Sequence, residues 1–155
     1  MTRRTESTER PRERVVVCGV QFPDQAVEPA GPLDEIQALV EACEAVVVGE
    51  PLLQKRERPH PATLMGRGKV DEVTEQVRLL APDAVVVDND LTPAQGRNLE
   101  KAWKCRVIDR SELILDIFAR RAQTRQAKLQ VELAQNEYLF PRLRRMWTHL
   151  SLIHI

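Results

Sequence analysis

Short valine-rich runs recur at intervals along this chain, separated by segments with helical spacing, and no other feature constrains its fold as much. The runs are Arg14-Val-Val-Val-Cys-Gly-Val20, Ala45-Val-Val-Val-Gly49, Ala84-Val-Val-Val87 and Arg106-Val-Ile-Asp109. Continuous apolar runs of this length, bounded by turn residues, read as strands buried on both faces. Between them, residues 32–43 place Leu33, Ile36, Leu39, Val40 and Cys43 at helical spacing, with acidic residues in the first turn where the helix dipole favours them. Thr63-Leu-Met65 reads as a short strand that ends in Gly66-Arg-Gly68, with a helix from about 69 to 80. Thr92, Pro93 and Gln95 form the start of another helix: an N-cap, a proline at the first helical position and the partner of a capping box. Strands alternating with helices predict an α/β fold over residues 14–109. Its small parallel sheet, of about four strands, is covered by helices on both faces.

The pattern changes after Asp109. Neither Gly nor Pro occurs between Arg110 and Pro141, and Asp109 and Glu112 have capping-box spacing. Thr124, Ala127, Val131, Ala134 and Tyr138 step by three and four, the seam of a long helix. This predicts one continuous, projecting helix from residue 111 to about 139, some 30 residues or about 45 Å long. Its narrow apolar seam wants a partner helix. Residues 110–149 are therefore expected to form a long-helix arm with a basic tip.

Charge supports that division. The chain of 155 residues carries 23 Lys/Arg and 23 Asp/Glu, so net charge says nothing about partners. Residues 1–103 hold 13 cations against 18 anions, whereas residues 104–155 hold 10 against 5. An acidic body with a basic C-terminal third points that third toward an anionic surface. Cys18, Cys43 and Cys105 fit no zinc or CxxC spacing and read as small buried thiols in a reducing compartment. Residues 1–13 are polar and charge-rich, without an h-region, and are expected to be a disordered tail rather than a secretory signal. No apolar stretch approaches the roughly 20 residues of a membrane span. A cytoplasmic, monomeric protein is expected.

A family resemblance rests on ordered motifs. Arg58-Pro-His-Pro-Ala-Thr63 is followed by Gly66-Arg-Gly-Lys-Val70, then Leu91-Thr-Pro-Ala-Gln95, Arg97-Asn-Leu-Glu100, Val107-Ile-Asp-Arg110 and Leu113-Ile-Leu-Asp-Ile-Phe-Ala119. The densest match is Ala127-Lys-Leu-Gln-Val-Glu-Leu-Ala-Gln135, with Tyr138-Leu139, Pro141-Arg-Leu143 and Met146-Trp-Thr-His149 after it. Over residues 14–149 the chain resembles the N-terminal domain of HflX-type ribosome-associated GTPases. The resemblance implies a partner, the large ribosomal subunit and its rRNA, and a role in splitting or recycling stalled ribosomes. It implies an α/β subdomain joined to a helical hairpin that reaches toward the peptidyl-transferase centre. A glycine-rich loop, a return helix and a GTPase domain that uses GTP and Mg2+ would follow. Here Leu150-Ser-Leu-Ile-His-Ile155 spells what a transposon-end sequencing adapter encodes in one frame. Residues 150–155 are therefore expected to be a non-native end and the GTPase domain to be absent.

Two groups of residues are candidates for binding. In Pro141-Arg-Leu-Arg-Arg-Met-Trp-Thr-His149, the guanidinium groups of Arg142, Arg144 and Arg145 suit phosphates and Trp147 offers a stacking face. Arg120, Arg121, Arg125 and Lys128 are placed to track an RNA backbone below that tip. The plainer reading is a solvated basic face, and the resemblance favours RNA. Gly66, Gly68 and Lys69 open a helix and would suit a phosphate, but they lack the third glycine and P-loop spacing, so a tight turn needing positive φ is the simpler reading. His60, His149 and His154 are scattered and suggest no metal site, and Asp88 and Asp90 past a strand end suit a loop better than catalysis. No catalytic constellation and no GxxxxGK[ST] is present, so this chain by itself is expected to be no enzyme and to hold no cofactor. Two other readings fit the same residues: a stand-alone nucleotide-binding domain using the Gly66–Lys69 turn, and a helical protein–protein module using the 124–138 seam.

Overall fold

The computed structural model describes residues 11–25 and 31–142. Most of the predicted tail at 1–13 and all of the expected non-native end at 150–155 lie outside the described residues. The order is β1 (Arg14–Gln21), α1 (Asp34–Ala42), β2 (Val46–Val47), β3 (Leu52–Lys55), α2 (Arg67–Leu80), β4 (Ala84–Val87), α3 (Pro93–Trp103), β5 (Arg106–Asp109), α4 (Arg110–Arg121) and α5 (Arg125–Leu139). A 3-10 turn, Phe140–Arg142, follows α5.

Among the described residues five strands make one parallel sheet. β1 pairs with β4 on one side, and β4 with β5. On its other side β1 pairs with β2 at Arg14–Val15 and with β3 from Cys18 to Gln21. Alternate side chains feed two cores. Val16, Cys18, Val20, Val85, Val87 and Val107 face Val70 and Val73 of α2 and Leu99 and Trp103 of α3. Val15, Val17, Ala84, Val86 and Ile108 face Ile36 and Val40 of α1 and Leu113 and Ile117 of α4. β1 and β4 are apolar throughout because both of their faces are covered. The α/β class, the parallel sheet and its two helical layers are as the sequence predicts.

Three details correct the sequence reading. The run at 45–49 is an edge strand rather than a doubly buried one: Val46 is exposed, pairing stops after Val47, and Gly49 turns the chain at φ 72. The edge resumes beyond Pro51 as β3, which sequence reading missed, so the sheet has a fifth strand. Thr63-Leu-Met65 makes no strand; only an isolated His60–Leu64 bridge forms, with Leu64 at φ 65.

The largest correction concerns the arm. The predicted continuous helix is broken at Ala122, which is extended (φ −68, ψ 120), and Thr124 is the N-cap of α5 rather than a seam residue. The Thr124 hydroxyl accepts from Ala127 N at 3.0 Å. α4 does not project: Leu113 and Ile117 are buried in the core and Arg120 approaches Glu44, just past α1. α5 folds back onto α4, so Ala127, Val131, Ala134 and Tyr138 are half-buried in that packing. Its end returns to the sheet, where the Tyr138 hydroxyl donates to Asp109 of β5. Burying the α4 face on the sheet and the α5 seam on α4 outweighs the one turn of helix given up at 122–124. No helix among the described residues is long and apolar enough to cross a membrane.

Candidate functional site

In an open parallel sheet, ligands favour the crevice where strand order reverses, beyond the carboxyl ends of the strands. Here that point lies between β1 and β4, and the protein's own groups close it. The Asn89 side chain is buried; its oxygen accepts from Val20 N at 2.9 Å and its nitrogen donates to Val20 O at 2.9 Å. A Cβ on Gly19 would lie 2.8 Å from Leu33 and 3.0 Å from Asp88 Cβ, so the strand end is packed shut. Asp88 accepts from Arg110 at 2.6 Å, and Asp90 accepts from Ser111 N at 3.1 Å and from its hydroxyl at 2.5 Å. Both aspartates thus tie the loop after β4 to the start of α4.

The Gly66–Lys69 turn sits beyond the ends of β3 and β1. Gly66 N donates to the Gln54 side chain at 2.8 Å, and Arg56 N donates to Gln21 O at 3.0 Å. Neither Gly66 (φ −69) nor Gly68 needs positive φ, which corrects that part of the sequence reading. A Cβ at Gly66 would stand 2.6 Å from Arg56 Nη1 and 3.1 Å from Gln54 Nε2, so a larger residue would displace the ends of these two flexible side chains. Around Gly68 there is open space. The Lys69 side chain is 17% exposed and its ammonium pairs with Glu72 at 2.7 Å. The preceding loop is held to α3, where Gln95 Nε2 donates to His60 O at 3.1 Å and Asn98 Nδ2 to Ala62 O at 2.9 Å.

This turn belongs to a basic rim that sequence reading missed. Lys55, Arg56, Arg58, Arg67 and Lys69 fall within fifteen residues against Glu57 alone. Among the described residues no ion pair involves Lys55, Arg56, Arg58 or Arg67. The signal in the sequence is the local charge run, which the excess of anions over the rest of residues 1–103 masks. A larger cleft of about 1040 Å³, between α1, α4 and α5, has mixed signs: Arg12, Arg106 and Arg120 face Glu44, Glu112 and Asp116.

The predicted RNA-binding residues divide. Arg125 and Lys128 are exposed on the first turns of α5, at the far end of the hairpin from Asp109. Arg120 is engaged by Asp116 at 3.1 Å and Glu44 at 4.0 Å. Arg142 closes the 3-10 turn, and Arg144, Arg145 and Trp147 lie outside the described residues. Because α5 folds back, its C-terminal end lies at the sheet edge beside Asp109. Among the described residues no group of three or more His, Cys, Asp or Glu is placed to hold a metal.

Residues 31–119 match the family described as GTP-binding GTPase N-terminal, and residues 121–154 match its middle region. The chain belongs to the GTP-binding GTPase N-terminal family. Its relatives are HflX GTPases. That of Flavobacterium psychrophilum is 43% identical over 140 residues, covering 90% of this chain and 34% of the relative. That of Escherichia coli is 48% identical over 119 residues, covering 77% of this chain and 28% of the relative. The chain therefore spans about a third of the length of the curated relatives it matches. The fold is also that of a Sulfolobus solfataricus GTP-binding protein solved with GDP, at a TM-score of 0.59 and 22% identity, covering 88% of this chain and 40% of that one.

GTP and magnesium, implied by the family's name, do not fit the residues of this N-terminal region. Its glycine turn lacks the P-loop spacing, Lys69 is committed to Glu72, and Asn89 fills the crevice at the strand ends. The HflX-type identity expected from the motifs agrees with these matches.

Proposed function

We propose that this chain is the ribosome-binding N-terminal part of an HflX-type GTPase. In this reading it engages RNA of the large subunit in a cytoplasmic protein that splits or recycles stalled ribosomes, with GTP and Mg2+ held outside these residues. The observation that carries the reading is the anchoring of α5. Tyr138 fixes the end of α5 to Asp109, and Arg142, Arg144, Arg145 and Trp147 follow Tyr138 within nine residues of sequence. Arginines bind phosphates in fixed geometry and an indole stacks on unpaired bases, the two contacts that RNA rewards. The motif resemblance to HflX-type ribosome-associated GTPases suggests the ribosomal context, and the relatives are HflX GTPases. Co-sedimentation of the chain with isolated large and small subunits tests this. Selective pelleting with large subunits, abolished in the R142A/R144A/R145A variant, is expected. Equal pelleting of parent and variant would contradict it.

One observation favours a second reading, a helical protein–protein module. Leu129 and Leu133, one turn apart on α5, are 56% and 60% exposed. They lie off the seam that packs on α4, and such a pair suits a partner helix. Loss of subunit pelleting in L129E/L133E, with the arginine variant unaffected, would favour that reading.

A further inference from the structure

Beside the basic rim lies a cavity of about 360 Å³ lined by Gln21, Phe22, Gln25, Lys55, Arg56 and Glu57. Phe22 is half-buried, packed on one side against the core under α2 and α3. The Gln25 side-chain oxygen accepts from Phe22 N at 3.1 Å, which leaves its amide nitrogen to donate elsewhere. Lys55 is exposed at the mouth, and Arg58 and Arg67 stand exposed beyond it. The rim is rigidly joined: Arg56 Nε donates to Arg58 O at 3.1 Å, and Gln54 holds Gly66 at the start of α2.

We propose that this edge is a second RNA contact, which takes one splayed base of single-stranded RNA in the Phe22 cavity and the flanking phosphates on Lys55, Arg58 and Arg67. The inference rests on the RNA reading of the segment after α5, and extends it to a different surface. Three features select this partner. First, an aromatic wall beside cations is what unstacked nucleotides reward; a duplex keeps its bases inside the stack, and a lipid surface has no base to insert. Second, residues 1–103 outside the rim hold 8 cations against 17 anions, so an RNA strand is repelled elsewhere on the body and confined to this edge. Third, β3 and β5 are three strand spacings apart and Lys55 lies three residues further along the strands than Asp109, so the near end of the rim is about 17 Å from the point where α5 ends. One strand of RNA can meet both sites.

The test is fluorescence anisotropy of the full 155-residue chain with a short labelled oligouridine, its duplex with oligoadenine, and phosphatidylglycerol vesicles, at graded salt. The K55A/R58A/R67A variant changes exposed side chains that make no ion pair among the described residues, so a retained fold is expected by circular dichroism. It should weaken oligouridine binding by tenfold or more and lower the log–log salt slope by about 2, at roughly 0.7 per phosphate bound on a single strand. F22L keeps a core side chain while removing the ring, and should weaken binding severalfold at unchanged slope. Duplex binding should not respond to F22L. Parent-like binding by the rim variant overturns the proposal. So does the absence of saturable RNA binding by the parent, equal or tighter binding of duplex or vesicles, or indifference of oligouridine to F22L. The R142A/R144A/R145A variant separates the two sites. Weakening with that variant alone removes the rim and leaves the arm reading, and weakening with the rim variant alone does the reverse.

Discussion

The Tyr138 hydroxyl near the end of α5 donates to the Asp109 carboxylate at the end of β5, 29 residues earlier in the chain. The same carboxylate accepts from Leu91 N at 3.1 Å and from Glu112 N at 3.0 Å, so one side chain joins the loop before α3, the cap of α4 and the return of α5. Y138F should cost about 1–2 kcal/mol in urea unfolding, since the bond it removes joins a half-buried tyrosine to a buried carboxylate that keeps its two backbone donors. Hydrogen exchange should speed up in the last turns of α5 and stay unchanged in β1 and β4. Uniform acceleration across the sheet would show that the bond is not a local latch.

The break between α4 and α5 depends on Thr124. T124A removes the cap on Ala127 N and should cost about 1 kcal/mol, with fraying confined to the first turn of α5. Helix content that rises instead, with 122–124 becoming protected, would mean that the continuous helix is the preferred state.

Burial pushes the Cys18 thiol up from 9.0 to about 12. The folded state therefore holds the proton more tightly than the unfolded chain. Its stabilising effect is complete below pH 9 and is lost as pH rises from 9 toward 12, by about 1.4 kcal/mol per pH unit. The measurement is the difference in urea midpoint between parent and C18A, in which effects common to both proteins cancel. That difference should narrow between about pH 8 and pH 10. A pH-independent difference would mean that Cys18 ionises equally in both states. Thiol reagents at about pH 8 should modify half-buried Cys105 well before Cys18.

GTP should not be turned over by the purified chain. No GxxxxGK[ST] is present to hold β- and γ-phosphates, and the crevice that α/β sheets offer to nucleotides is filled by Asn89. Phosphate release that saturates with GTP and survives repurification would contradict this.

What the sequence revealed follows from how local each signal is. The α3 start was legible because its capping box closes within four residues, and both bonds form: Gln95 N to Thr92 at 3.1 Å and Thr92 N to Gln95 at 3.0 Å. The buried strands were legible because Val15–Val17 and Val85–Val87 are apolar on both faces. β3 was not, because Leu52-Leu-Gln-Lys55 is a half-buried edge whose pairing with β1 spans more than thirty residues. Thr124 carried two meanings, seam position and N-cap, and only packing against α4 decides between them. The basic rim was visible as a charge run, but its approach to Phe22 depends on β3 lying beside β1.

In the proposed function, the cations that follow the Tyr138 anchor in sequence hold large-subunit RNA. The direct measurement is the salt dependence of large-subunit binding by the parent and by R142A/R144A/R145A, with W147A as the uncharged control. The triple variant should bind more weakly, and its log–log salt slope should fall by about one unit for each phosphate that is no longer neutralised. W147A should weaken binding while leaving the slope as in the parent, because stacking releases few counterions. A triple variant that binds large subunits as the parent does, with the same slope, would contradict the claim.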